Sequence, residues 1–141
     1  MGKKQAEKTL SVLQAKGRRL TPTRKALSTI FDSLTEPITV TEILAKLSKV
    51  SISVHKTTIY RELETLIDLD LVTEVDFGDG QKRYERRGKH HHHIVCRQCG
   101  RVVDVFLHAE FGAIEKKLAR QVAYREITHN LEFFGLCDGC L

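Results

Sequence analysis

The sequence of 141 residues contains no tryptophan, two prolines, one methionine and only 6% aromatic residues. It has no apolar run that approaches the length of a membrane span, so we expect no membrane partner. The opening residues MGKKQAEK carry no secretory signal, which predicts a cytoplasmic protein with reduced thiols. Internal repeats, low-complexity tracts and glycine-rich catalytic loops are also absent. What remains is a chain with 41% apolar residues, enough to fold as one ordinary domain or two small ones.

Charge and histidine are distributed unevenly along the chain. The formal net charge is +5 and the pI about 9.1, which is compatible with binding to nucleic acid. Residues 1–34 contain eight basic and two acidic side chains, whereas residues 62–79 contain seven acidic side chains and no basic one. Six of the seven histidines lie at or beyond residue 90. This distribution predicts a basic first region and a second region with metal-binding chemistry.

The segment HHHHIVCRQCG, from His90 to Gly100, places four imidazoles just before a Cys-x-x-Cys pair. A second Cys-x-x-Cys pair lies almost at the end of the chain. Two such pairs supply the four thiolates of a closed tetrahedral zinc site, although a disulfide or redox role is an alternative. The histidines are then surplus and indicate a second kind of metal site; a purification tag is disfavoured because the run is internal. The candidate ligands of the structural zinc are Cys96, Cys99, Cys137 and Cys140.

Apolar residues recur at helical spacing through the first 69 residues, and residues that interrupt helices separate four segments. Thr21-Pro22 is typical of an N-cap followed by proline at the first helical position. Thr39 or Thr41 is a candidate cap for the third helix. The predicted helices cover 3–16, a stretch that begins at Thr21-Pro22, a stretch around 40–47 after Pro37, and about His55 to Leu69.

Two strand-like runs, 71–77 and 81–86, follow the helices and are joined by the turn sequence Gly78-Asp79-Gly80. Helices followed by a basic hairpin form the winged helix-turn-helix pattern; a generic helical domain with a solvated basic face is the alternative. Side chains at the start of the fourth helix are suited to a DNA major groove, and those of the hairpin to phosphates. The candidate DNA-binding residues are Arg19, Thr23, Arg24, His55, Lys56, Thr58, Tyr60, Arg61, Lys82 and Arg83.

The part of the chain beyond the linker Arg87-Gly88-Lys89 is predicted to form a small α+β unit. We therefore divide the chain into a DNA-binding domain, residues 1–87, and a dimerisation and metal-binding domain, residues 88–141. The second is small for an independent core, and a zinc clamp and dimerisation would each compensate. Its predicted elements are strands Ile94–Cys96 and Arg101–Phe106, a helix over 109–122 with Phe111, Ile114, Leu118 and Val122 on its inner face, and a strand Arg125–Phe134.

Four motifs in this order and spacing give the chain a family resemblance: LTPTR, TIYREL, HHHHIVCRQCG and the terminal CDGC. Over nearly its whole length the chain resembles the ferric uptake regulator family of metal-dependent bacterial repressors. The resemblance implies an α+β fold with an N-terminal winged helix-turn-helix and a small C-terminal α/β dimerisation domain that carries the Cys₄ zinc site. It implies a homodimer that binds a palindromic double-stranded DNA operator when metal is bound, and no enzymatic activity.

The resemblance also assigns two further metal sites. A sensing site falls on Glu85, His91, His93 and Asp104. Two imidazoles and two carboxylates are harder donors than four thiolates, so Fe²⁺, Mn²⁺ and Zn²⁺ are all candidate regulatory ions. A possible further site falls on His90, His92 and His129, with Glu110 as the nearest carboxylate, although strict alignment places Phe111 or Gly112 at that position.

One departure from the family pattern lies at Pro37, where relatives usually have a histidine that joins the sensing site. Glu85 then becomes the main ligand from the first domain. Peroxide-sensing members oxidise histidines of this site, including the one missing here, so peroxide sensing ranks below metal sensing. A peroxide- or zinc-sensing member of the family is the alternative function, followed by a zinc hydrolase and a metal-storage protein. His91, His93 and Glu85 would imitate a hydrolase site, but that reading leaves the basic helices and hairpin unexplained.

Overall fold

The structure, a computed structural model, describes residues 2–107 and 111–141 and divides into two compact units, Met1–Gly88 and Lys89–Leu141. Helices followed by a three-stranded sheet make up the described part of the first unit, and a second three-stranded sheet with a helix makes up that of the second. The α+β class predicted from the sequence is confirmed. In chain order the elements are α1 (Gly2–Ala15), α2 (Pro22–Ser33), β1 (Ile38–Thr39), α3 (Val40–Lys49), α4 (Lys56–Asp68), β2 (Val72–Asp76), β3 (Lys82–Arg86), β4 (His92–Cys96), β5 (Val102–Val105), α5 (Phe111–Val122), β6 (Glu132–Gly135) and a final 3₁₀ turn (Asp138–Cys140).

Helix starts in the first unit follow the capping residues of the sequence. The Thr21 side chain accepts a hydrogen bond from the Arg24 backbone N–H at 3.2 Å, and Pro22 is the first residue of α2. Thr39, and not Thr41, caps α3 in a capping box with Glu42. Each such cap contributes about 1 kcal/mol. These caps fix where α2 and α3 begin and therefore which faces they bury.

The core of the first unit lies between the helices and the sheet β1-β3-β2. Strand β1 was not predicted; it has two residues, too few for any periodicity, and pairs antiparallel with β3. Strands β2 and β3 form the predicted hairpin. The apolar side chains with the least solvent exposure come from α1 to α4: Leu13, Leu27, Ile43, Leu47, Ile59 and Leu63. This packing leaves the opposite face of α4 exposed.

In the second unit, β4 is the central strand, antiparallel to β5 and parallel to β6. It begins at His92, two residues before the predicted start, and its histidines His92 and His93 are 3% and 2% exposed. Neighbouring strands on both edges bury these polar side chains. The predicted strand Arg125–Phe134 is wrong over residues 125–131, because the strand is Glu132–Gly135 and Glu126 has a left-handed backbone (φ 53) that interrupts an extended chain.

The predicted helix over 109–122 is present as α5, Phe111–Val122, while positions 109 and 110 lie outside the described residues. Its apolar face was expected to be buried, and this expectation is wrong for the single chain. Ile114, Leu118 and Val122 are 52%, 42% and 53% exposed, because no other described part of the unit covers this side of the helix. The described part of the second unit therefore carries an apolar surface that is still open to solvent.

Candidate metal centres and nucleic-acid interface

The four cysteines come together at one end of the second sheet. Cys96 ends β4, Cys99 lies in the following turn, Cys137 precedes the 3₁₀ turn and Cys140 ends it. All four Sγ atoms lie within 4.8 Å of one another, and Cys99 Sγ is 3.7 Å from Cys137 Sγ. A tetrahedral ion with Zn–S bonds of about 2.3 Å separates its sulfurs by about 3.8 Å. The geometry therefore suits a closed tetrahedral zinc site.

Hydrogen bonding prepares this cluster for a cation. The backbone N–H groups of Cys99, Cys137 and Gln98 point at Cys96 and lower the pKa of its thiol to about 6. Contacts with the thiols of Cys137 and Cys99 raise the pKa of Cys140 to about 12. The thiol of Cys96 is therefore more acidic than an ordinary cysteine and that of Cys140 is less acidic. A divalent ion bound here would stabilise all four sulfurs as thiolates.

A second cluster contains His90, His92 and His129, whose ring nitrogens lie within 4.8 Å of one another. The ring centroids are separated by 4.7 Å for His90 and His92, 5.1 Å for His90 and His129, and 5.4 Å for His92 and His129. Residues two apart on an extended chain face the same side, which explains why His90 and His92 meet. The chain just before β6 supplies His129.

The orientation of these rings favours a metal ion. His92 Nδ1 lies 3.1 Å from the Leu131 carbonyl oxygen, and His129 Nδ1 lies 2.8 Å from Glu115 Oε1. These oxygens accept, so each Nδ1 carries the proton and each Nε2 of a neutral ring offers its lone pair. Both Nε2 atoms are buried and have no hydrogen-bond partner among the described residues. Buried acceptors without partners are costly, and an ion bound by both would satisfy them.

Glu115 is a residue of this cluster that sequence reasoning missed. Glu110, the carboxylate named from the sequence, lies outside the described residues. Phe111 is one of the two residues named for the aligned position, and its ring stacks on His129 with centroids 4.7 Å apart. The available signal was helical periodicity, since Glu115 lies one turn after Phe111 on α5. The described residues therefore offer three ring nitrogens to a metal ion, and Glu115 accepts a hydrogen bond from His129.

His93 of β4 and His91, which directly precedes the strand, face the other side of the sheet. Their ring centroids are 4.9 Å apart, and His93 Nε2 lies 3.7 Å from Asp104 Oδ1 on the neighbouring strand. The structure also supplies an unpredicted partner, Glu132 of β6, whose Oε2 lies 3.1 Å from His93 Nδ1. The remaining predicted ligand, Glu85, belongs to β3 of the first unit, opposite Thr73. Three of the four predicted sensing residues thus lie in the second unit, and the strand register brings two of them together.

The first turns of α4 present the predicted DNA-contacting side chains to solvent. Lys56, Thr58 and Arg61 are exposed, and so is Tyr60, whose ring centroid lies 5.7 Å from Lys56 Nζ. His55 is the N-cap of the helix, and its Nδ1 accepts from the Thr57 backbone N–H at 3.5 Å. Donors, a cation and an aromatic ring are therefore grouped at one end of a helix, as major-groove recognition requires.

The candidates around α2 differ in their surroundings. Arg19 is exposed and Thr23 is half-buried. Arg24, by contrast, donates from Nε to Glu62 Oε2 at 2.6 Å and from Nη1 to the Arg19 carbonyl oxygen at 2.8 Å. The contact with Glu62 joins α2 to α4. We therefore assign Arg24 a structural contact in addition to any contact with DNA.

The cations of the hairpin have acidic partners within the hairpin itself. Lys82 Nζ lies 3.0 Å from Glu74 Oε1. Both terminal nitrogens of Arg83 donate to Asp79, at 2.9 and 2.7 Å, and the guanidinium lies over the Phe77 ring. The hydrogen bond from Arg83 has the largest effect on the Asp79 carboxyl and, with a further one from the Gln81 backbone N–H, lowers its pKa to about 2. Phosphates would have to compete with these carboxylates for the two cations.

With the fold and the clusters described, comparison with known proteins identifies the class. The sequence profile of the Ferric uptake regulator family matches residues 15–134. The chain is 35% identical over 136 residues to the peroxide-responsive repressor PerR of Staphylococcus aureus, covering 95% of this chain and 90% of that protein. The chain belongs to the ferric uptake regulator family of metal-responsive transcriptional regulators, as the sequence motifs predicted.

Solved structures agree with this fold. The Helicobacter pylori ferric uptake regulator, which has three functional metal-binding sites, superposes with a TM-score of 0.74 at 18% identity and covers 99% of this chain and 93% of its own. PerR of Streptococcus pyogenes, described as a peroxide sensor and gene regulator, has a TM-score of 0.55 at 28% identity and covers 97% of this chain and 93% of its own. Among the described residues, no helix has the length and apolar character needed to cross a bilayer.

Proposed function

We propose that the protein is a repressor that binds a palindromic DNA operator as a metal-loaded homodimer. One observation carries the proposal: two sets of imidazoles on and beside β4 hold Nδ1 against oxygen acceptors, the orientation of histidines that bind a metal ion through Nε2. In the same chain, α4 exposes a basic and aromatic helix end. The pairing of a metal-binding unit with a DNA-binding unit supports regulation over catalysis or storage.

In this proposal the four cysteines hold a structural Zn²⁺ that stabilises the second unit. Glu85, His91, His93 and Asp104 bind the regulatory ion, Fe²⁺, Mn²⁺ or Zn²⁺. His90, His92 and His129 form the further site. Regulation follows if metal binds the DNA-competent arrangement more tightly than the incompetent one, since equal affinity shifts nothing.

The solvent-exposed side chains indicate which surfaces would contact DNA and a second copy of the chain. The α4 side chains His55, Lys56, Thr58, Tyr60 and Arg61 read the operator. Residues 88–141 dimerise, and the exposed apolar face of α5 is the part of the surface that a second copy would cover. In a two-fold dimer, the two α4 helices would meet half-sites in successive major grooves.

The test combines operator selection with metal titration. Protein purified without oxygen, with its zinc retained, is used to select duplexes from a random pool in the presence of Mn²⁺, and fluorescence anisotropy then measures binding against Mn²⁺, Fe²⁺ and Zn²⁺. We expect metal to tighten binding, and the His91→Ala/His93→Ala variant to lose this response while retaining its zinc. Unchanged metal dependence in that variant would contradict the sensing assignment and turn attention to His90, His92 and His129.

Peroxide sensing is the second candidate function, favoured by the S. aureus relative, a peroxide-responsive repressor. Pro37 stands where peroxide-sensing relatives have an oxidised histidine, so the oxidisable set is smaller here. Treatment of the Fe²⁺-loaded protein with peroxide, followed by peptide mass spectrometry, tests this. Oxygen addition at His91 with release from DNA would establish peroxide sensing.

Esterase and peptidase assays of the zinc-loaded protein test the hydrolase alternative, and we expect no turnover.

A further inference from the structure

The geometry points to Glu132 as a positioning residue for the regulatory metal, acting through His93. No ligand set derived from the sequence contains Glu132. The inference rests on the proposed function, because it assumes that His93 is a ligand of the sensing site. Glu132 contributes specificity of orientation and does not itself bind the ion in this proposal.

Strand register brings the two residues together. Strand β6 runs parallel to β4, and Glu132 is the residue opposite His93. One carboxylate oxygen, Oε2, accepts from the His93 backbone N–H at 3.2 Å and from His93 Nδ1 at 3.1 Å. The side chains are 11% and 3% exposed. The two hydrogen bonds from His93 therefore fix the position of the Glu132 carboxylate, and this carboxylate in turn fixes the orientation of the His93 ring.

This contact determines which nitrogen of His93 carries the proton. A carboxylate accepts, so Nδ1 carries the proton and Nε2 presents its lone pair. Nε2 is also the atom that lies 3.7 Å from Asp104 Oδ1, another predicted ligand. A carboxylate that accepts a hydrogen bond from Nδ1–H of a histidine makes the Nε2 atom of that ring a stronger metal ligand. Loss of such a carboxylate typically lowers metal affinity by roughly 10- to 100-fold. The arrangement therefore predicts tighter metal binding than an unsupported histidine gives.

Replacement of Glu132 separates this role from a purely structural one. Glu132→Gln keeps an oxygen that accepts from Nδ1 but removes the charge, whereas Glu132→Ala removes both. Glu126→Gln is the matched control, since Glu126 is an exposed glutamate of the same unit. Affinity for Mn²⁺ is measured from the electron paramagnetic resonance signal of the free ion, in the full chain and again in a His129→Ala background that removes a ligand of the other cluster. Zinc content and thermal unfolding are measured on every variant.

We expect Glu132→Ala to weaken Mn²⁺ binding by roughly 10- to 100-fold. We expect Glu132→Gln to weaken it by a smaller factor that still exceeds threefold, with zinc content retained and Glu126→Gln unchanged. Affinity within twofold of the parent in Glu132→Gln overturns the inference, whether or not Glu132→Ala folds. Equal losses in Gln and Ala variants, with a changed Co²⁺ absorption spectrum, would instead make Glu132 a direct ligand and also overturn it. If His93→Ala retains full affinity, the proposed sensing site fails, and that failure is distinguishable from the failure of Glu132 alone.

Discussion

Arg24 joins α2 to α4, and its replacement distinguishes a structural role from a DNA contact. The Arg24 Nε to Glu62 Oε2 hydrogen bond is 2.6 Å long, and the side chains are only 17% and 16% exposed. Arg24→Ala would leave the Glu62 carboxylate largely shielded from water and without this partner. Exposed pairs contribute about 0–1 kcal/mol, and breaking a fully buried pair costs about 3–5 kcal/mol. This pair lies between those limits, so we expect the free energy of unfolding to fall by about 2 kcal/mol.

Urea unfolding followed by circular dichroism measures this change, and the Tm should fall by about 10 °C for a unit of this size. Arg19→Ala is the control, because the Arg19 side chain is exposed and we expect this variant to have the same free energy of unfolding as the parent. A double-mutant cycle with Glu62→Ala isolates the pair, and a coupling of about 1–2 kcal/mol is expected. DNA binding measured against salt at low temperature should keep its slope. A stability change below about 0.5 kcal/mol, together with a salt slope reduced by about one, would refute the structural role and establish a phosphate contact.

Three further predictions concern the candidate metal sites and the helix α4. Cys96→Ser or Cys137→Ser should each lose one tightly held zinc and weaken the dimer, because structural zinc binding contributes to folding; stoichiometric zinc by mass spectrometry in both variants would contradict the Cys₄ assignment. Tyr60→Ala and Arg61→Ala, exposed on α4, should weaken operator binding by about 1–3 kcal/mol with metal content unchanged, and an unaltered footprint would show that another surface contacts the bases. Glu115→Ala should lower metal affinity at the three-histidine cluster by about 10- to 100-fold, seen by Zn²⁺ titration with a chromophoric chelator; no change would mean that His129 needs no support.

Much of the first unit was predictable because its signals are local. Thr21-Pro22 and Thr39 fix helix starts through side chains that bond within three residues. The hairpin follows from two strand-like runs and a glycine-rich turn. Strand β1 was missed because it has two residues and exists through its pairing with β3, which lies over forty residues later. Local patterns therefore predict elements that stabilise themselves and overlook those that depend on a distant partner.

The second unit shows the same limit at its sites. The cysteine pairs and the histidine run indicate candidate ligands by residue type, so their chemistry was visible in the sequence. Their supporting carboxylates were not visible, because Glu132 and Glu115 reach their histidines across 39 and 14 residues. The start of β4 was also misplaced, because histidines read as polar until neighbouring strands bury them. Ligand identity is a property of the sequence, whereas ligand orientation is a property of strand register.

Strand β4 connects the metal clusters through a single geometric rule. Successive residues of a strand face opposite sides, so His92 and His93 belong to different clusters although they are adjacent in sequence. The same strand ends at Cys96, a member of the thiol cluster. Its register against β5 and β6 brings Asp104 and Glu132 to His93. A slip of one residue would exchange the faces of the histidines and separate each from its oxygen partner. The structural zinc, by fixing the end of β4, would therefore also fix the donors of the other two clusters.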